Sequence, residues 1–205
     1  MPLMPQKIKR AIQLLLALLA AGAVARPARA EAPWEHVKQR GDVTYERRAV
    51  PGSKFREYRA RFEVTAGEAA TLAAIWASVV ETPTPTVTER KVLRRTEDEL
   101  LVHDLIDGSI ARDREATTLI QKLPHQVRIE ARNDLGPAPN PKHVVVPVVH
   151  GLWTLEPITA GTRVSFQCYS EPGGSIPAFL IRGAQQSQIQ RDVERMLHSL
   201  STPNR

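Results

Sequence analysis

The chain has 205 residues, with 28 Lys or Arg, 22 Asp or Glu and a single cysteine. Residues 1–30 hold five of the basic side chains and no acid, so the remainder carries 23 basic against 22 acidic groups. That balance lacks the basic footprint of a nucleic-acid binder, and one cysteine excludes both an intrachain disulfide and a thiolate-rich metal site.

The N-terminal segment reads as a secretory signal. Lys7, Lys9 and Arg10 precede the uncharged run Ala11 to Ala25, and Ala28-Arg29-Ala30 is a small-x-small cleavage site before Glu31. The run is shorter than the ~20 residues a membrane span needs. Cleavage after Ala25 fits the same rule. The expected mature domain is 31–205, in a secretory or periplasmic compartment, and it is large enough to bury a real core and enclose a cavity.

From Ala32 to Gln39 the pattern predicts a short helix, with Trp34 and Val37 on one side. Val43 to Val50 and Lys54 to Val64 are strands joined by the turn Pro51-Gly52-Ser53, hence a hairpin. Thr65 to Val80 predicts a helix: Thr65 and Glu68 have capping-box spacing, and Leu72, Ile75, Trp76 and Val79 form an apolar stripe. The run Thr82 to Thr86, with prolines at 83 and 85, reads as a loop. Short strands follow at Glu89 to Arg95, Leu100 to Ile106, Ala116 to Lys122, Gln126 to Arg132, His143 to Leu155 and Arg163 to Ser170. The last element is a helix from about Ile176 to Ser199, capped by Ser175, with Pro177 in its first turn. Its ends are apolar, whereas Gly183 to Gln188 is small and polar. Such consecutive strands form a curved antiparallel sheet whose apolar face the last helix must cover.

Four stretches carry a resemblance. They are Trp34-Glu35-His36-Val37 with Gly41-Asp42-Val43; Arg47 to Ser53, which reads R-R-A-V-P-G-S; Arg112-Asp113; and Gly151-Leu152-Trp153, Thr162-Arg163-Val164 and Glu171-Pro172-Gly173-Gly174-Ser175-Ile176-Pro177. In this order they resemble the START domain, the lipid-transfer branch of the helix-grip superfamily. Glu171 stands where the family usually has Asp, residues 81–90 look short where members carry a helix, and no Pro precedes Arg112-Asp113. The resemblance implies an α+β helix-grip fold, a curved antiparallel sheet wrapped around a long C-terminal helix, with a smaller helix pair at one end. It also implies non-covalent binding of a lipid or other hydrophobic molecule, with transport as a further expectation. The segment from Asp107 to Ala111 and the last helix would gate the cavity.

Alternation places Val144, Val146 and Val148 on one strand face, and Val164, Phe166 and Cys168 on another. Val144, Val146, Val148, Phe166, Ile181 and Ala184 are the candidate apolar wall, with Arg112 and Asp104 as polar contacts to a head group. The small middle of the last helix either leaves room for ligand or is simply packed or solvated helix. None of the six histidines forms an i, i+4 pair with an acid or another histidine, so no metal site and no cofactor are expected. No Gly-x-Ser-x-Gly elbow occurs, Cys168 is read as a buried inert thiol, and no catalytic residue is assigned. The rival class is a cyclase- or hydrolase-like enzyme on an apolar substrate, using Asp104, Arg112, Asp113 or Glu115. A monomer with transient membrane-surface contact is expected.

Overall fold

A computed structural model describes residues 31–81, 83–108 and 112–201. The expected signal segment lies outside the described residues, as do Ser109, Ile110 and Ala111 of the expected gate. Among the described residues no helix is long and apolar enough to cross a membrane.

The first element corrects the sequence expectation. β1 (Glu35–Arg40) is a strand, not a helix, and pairs antiparallel with β2 (Val43–Ala49). Two apolar residues three apart cannot specify a helix this short. A register shift between His36 and Lys38 breaks the alternation that would have marked a strand. The expected helix pair is therefore one helix. β3 (Arg56–Val64) completes the first hairpin. α1 (Glu68–Val80) starts behind Gly67 with no side-chain cap. Glu68 instead pairs with His125, and the Thr71 hydroxyl donates to Gly67 O at 3.0 Å.

The run that follows is β4 (Val87–Arg95), β5 (Glu99–Ile106), β6 (Arg114–Leu123) and β7 (Gln126–Ala131). After a 3₁₀ turn at Asn133–Leu135 come β8 (Val144–Val145), β9 (Val148–Ile158) and β10 (Gly161–Glu171). The strand expected from His143 to Leu155 is thus divided. Pro147 has no N–H to give the ladder, and β8 pairs in parallel with Arg114 and Glu115 of β6, apart from the β9–β10 hairpin. Gly161, at φ 139°, turns β9 into β10; a Cβ there would fall 2.0 Å from Val64 O. Ten described strands form one curved, unclosed sheet, in the order β1-β2-β3-β10-β9-β7-β6-β5-β4, with β8 beside β6. α2 (Ala178–Ser201) closes the chain and packs on α1 and β3. This is the expected α+β helix-grip architecture.

The core holds sheet and helices together. Ile189, Val193 and Met196 of α2 are buried with Ile75 of α1 and with Ala60, Phe62, Trp153, Val164 and Phe166 of the sheet. Trp153 and Phe166 face each other across β9 and β10 and stack with centroids 4.0 Å apart. Stacked aromatic pairs add to the burial of their area.

Met196 is 0% exposed. Met196→Ala is expected to cost about 2–5 kcal/mol, read as a lower urea midpoint, and a loss below ~1 kcal/mol would show that α2 is not seated by this seam.

Candidate ligand pocket

Where α2 crosses the sheet, the two do not meet along their whole length. A pocket of about 250 Å³ lies between them. Its sheet wall follows the pleat: Asp104 and Ile106 on β5, Ala116, Thr118 and Ile120 on β6, Gly151 and Trp153 on β9, and Phe166 and Cys168 on β10. Residues two apart on a strand share a face, so β5 and β6 contribute alternate side chains, whereas 149–151 of β9 and 168–170 of β10 line it consecutively. Ser78 and Val79 of α1, and Gln185, Gln188, Asp192 and Arg195 of α2, form the other side. The wall is mostly apolar, with polar groups set into it.

Those polar groups are arranged in pairs. Arg90 holds Asp104 through two parallel hydrogen bonds, Nε to Oδ1 and Nη2 to Oδ2, each 2.8 Å. The geometry is the bidentate fork that makes arginine–carboxylate contacts directional. Arg90 Nη1 is buried and has no partner. Asp192 accepts from Gln188 Nε2 at 2.8 Å and pairs with Arg195. Burial raises the Asp192 pKa above its usual value, and the Arg195 charge opposes that rise only in part. Gln185 Nε2 donates to Ser170 O at 2.8 Å, leaving its buried Oε1 without a donor. The buried Trp153 Nε1 likewise has no acceptor.

Two further titratable groups on the wall are shifted toward their neutral forms. Desolvation raises the Cys168 thiol pKa, which removes the thiolate a nucleophile needs. Tyr169 is pushed up to about 12 by burial and by its hydrogen bond to Glu171. Among the described residues no group of three or more His, Cys, Asp or Glu is placed to hold a metal ion.

No protein-family model matches the sequence. No curated protein is significantly similar to it either. Solved structures are similar in shape. A STAR-related lipid transfer protein from Xanthomonas axonopodis superposes with a TM-score of 0.67 at 24% identity, over 82% of this chain and 99% of that one. Human STARD10 gives 0.62 at 15% identity, over 97% and 80%. The lipid transfer and protein localization domain of human StarD13 gives 0.61 at 16%, over 99% and 100%. The fold is the START fold.

Within this START fold the residues singled out from sequence separate into two groups. Asp104 and Phe166 lie on the pocket wall. The other six are not among its described lining. Arg112 is exposed, and its guanidinium donates to the carbonyls of Pro141, Lys142 and His143, tying down the 136–143 loop. Val144 sits in β8 against the Gly173-Gly174 turn. Val146 is buried, its N–H bonded to Glu115 O, and Val148 pairs with Glu171 at the start of β9. Beyond the proline break it is Val149, Gly151 and Trp153 that line the pocket. Ala184 is exposed and Ile181 half-buried, while the turns that follow present Gln185, Gln188, Asp192 and Arg195 to the pocket. Sequence reasoning put Gln185 and Gln188 in the small polar stretch that leaves room for a ligand, but it missed Asp192, Arg195 and Arg90. The signal was there in the 3-4-3 spacing of 185, 188, 192 and 195, which puts them on one helix face.

A raised carboxylate pKa has a defined consequence for stability. Between the unfolded and folded pKa values of Asp192 the folded protein binds more protons, so its stability falls as pH rises through that window. Asp192→Asn removes this slope. The melting temperature of the variant relative to the parent is expected to climb as pH rises from acid toward neutral; a flat or falling difference would show that the carboxyl is not desolvated.

Proposed function

We propose that this chain is a non-covalent carrier of one hydrophobic molecule that bears polar groups, held between the sheet and α2. The observation that carries the reading is the pocket itself: a mostly apolar wall between sheet and helix, with the Arg90–Asp104 and Arg195–Asp192 pairs set into it. Sites for small molecules are mostly apolar, with a few convergent polar groups that fix orientation. The likeness to lipid-transfer structures supports the same reading.

Binding needs no covalent chemistry. Each buried methylene of a ligand contributes about 0.8 kcal/mol, so a slender chain of about ten gives roughly 8 kcal/mol before the costs of association. The carboxylates on the wall are already engaged by Arg90 and by Arg195, which makes them structural and orienting groups rather than free acids or bases. The protein would act as a monomer in the periplasm after loss of residues 1–30. Phe179, 71% exposed at the start of α2, supports transient contact with a membrane during exchange.

Native mass spectrometry after incubation with a lipid extract tests the carrier reading: one hydrophobic molecule per chain is expected, and an empty protein refutes it. Ala116 is 2% exposed and lines the pocket. Ala116→Phe is expected to fill the space and abolish uptake, at an overpacking cost of about 1–3 kcal/mol that leaves unfolding cooperative. Undiminished uptake by the folded variant would remove the β6 face from the site.

A further inference from the structure

A second space adjoins the pocket. It is an open groove of about 440 Å³, lined by Ser78 of α1, Pro85, and Arg191, Glu194, Arg195 and His198 of α2 among others. Ser78 and Arg195 line both spaces. The connection from α1 to β4 does the same, giving Pro83 and Thr84 to the inner space and Pro85 to the outer one. α1 ends at Val80 and β4 begins at Val87, and the described residues between them form no helix or strand. The groove and the pocket therefore adjoin at Ser78 and Arg195.

Charge distinguishes the outer space from the inner one. Glu194 is engaged by Arg40, reaching across from β1. Asp192 lines the inner pocket and engages Arg195. Arg191 donates through Nη2 to the neutral Gln188 Oε1 at 2.9 Å, and it enters none of the ion pairs among described residues. The groove thus presents Arg191, Arg195 and His198 against one acid that already has a partner. The inner pocket, at about 250 Å³, sits below the roughly 300–1,000 Å³ usual for ligand sites and suits one slender chain rather than two.

We propose that the groove is the mouth of the pocket, and that it seats the anionic head, carboxylate or phosphate, of a single-chain amphiphile whose tail fills the inner space. This rests on the carrier reading and adds the class of molecule carried. Arginine side chains match the planar or tetrahedral oxygens of such heads with paired hydrogen bonds. The site is exposed, so its contribution is screened by salt.

The test compares three probes of equal length on the full chain, at mildly alkaline pH: hexadecanoic acid, 1-hexadecanol and methyl hexadecanoate. The acid is expected to bind about tenfold tighter than the alcohol at low salt, the value of one charge-assisted contact. That ratio is expected to fall toward one in high salt and in Arg191→Glu, with Arg191→Gln as the milder substitution. It is expected to persist in Lys142→Glu, which changes charge on a distant loop. Inorganic phosphate is expected not to displace the acid. Equal binding of acid and alcohol, or a ratio that survives both Arg191 variants, overturns the mouth and leaves the carrier reading standing. Displacement by inorganic phosphate alone also overturns it, since the groove would then be a site for free anions. Uptake of none of the three probes overturns both readings.

Discussion

The helix α2 has to satisfy two surroundings at once, and the pocket exists because it does. Ile189, Val193, Met196 and Leu200 run at helical spacing and pack into the core against α1 and β3. Gln185, Gln188, Asp192 and Arg195 form a second stripe about a quarter turn round the helix, a displacement that follows from 3.6 residues per turn. The apolar stripe anchors the helix to the sheet through its C-terminal half. The polar stripe cannot be driven into an apolar sheet face without stripping its groups of partners. The helix therefore grips along one line and stands off along the next, and the sheet beneath the second line keeps its alternate side chains pointed into open space.

Placing charge on such a wall is expensive. A buried ion pair gives up hydration on both sides, and its mutual attraction does not reliably make good the loss. Well-packed apolar residues at Arg90 and Asp104 would serve stability as well or better. The pair persists with two-point geometry, both bonds at 2.8 Å, yet leaves one buried guanidinium nitrogen unpartnered. A purely structural pair gains nothing from that orphan. The contrast with the outer face of β2 and β3 is instructive. There Glu46 is fully used by Arg59 and Arg61, whose hydrogen bonds outweigh the opposing effect of burial and lower its pKa. Arg59 and Arg48 also flank the Trp34 ring. That cluster is closed on itself; the one in the pocket is not.

The architecture was legible in the sequence because period and punctuation agreed. The strands from Val43 to Val64 and from Leu100 to Ala131, and the long last helix, stand where apolar spacing and turn residues put them. The site was less legible for reasons that can be named. Val144, Val146 and Val148 alternate in sequence, but Pro147 ends one strand and starts another, so their alternation does not describe a single face. Arg112 forms part of an Arg-Asp motif, yet its hydrogen bonds go to loop carbonyls that no local pattern announces. Arg90 lies in a highly charged edge strand whose neighbours face solvent, and only the β4–β5 register, which sets it opposite Asp104, turns it inward. Pairing between strands is non-local information. A reading of one segment at a time recovers elements, not the partner that decides where a side chain points.

The polar inventory of the wall also limits what can fill it. A fully polar ligand would fail, because Ile106, Ile120, Ile129, Val149 and Phe166 give it no partners. Arg90 Nη1, Trp153 Nε1 and Gln185 Oε1 lie behind the surface of the wall, so an apolar tail would leave them as they stand in the free protein. Each methylene buried there would then contribute its ~0.8 kcal/mol without a further penalty from those atoms. The molecule that suits such a wall has an apolar body inside and its polar group where the wall opens, and specificity then lies in where the two meet rather than in the area buried.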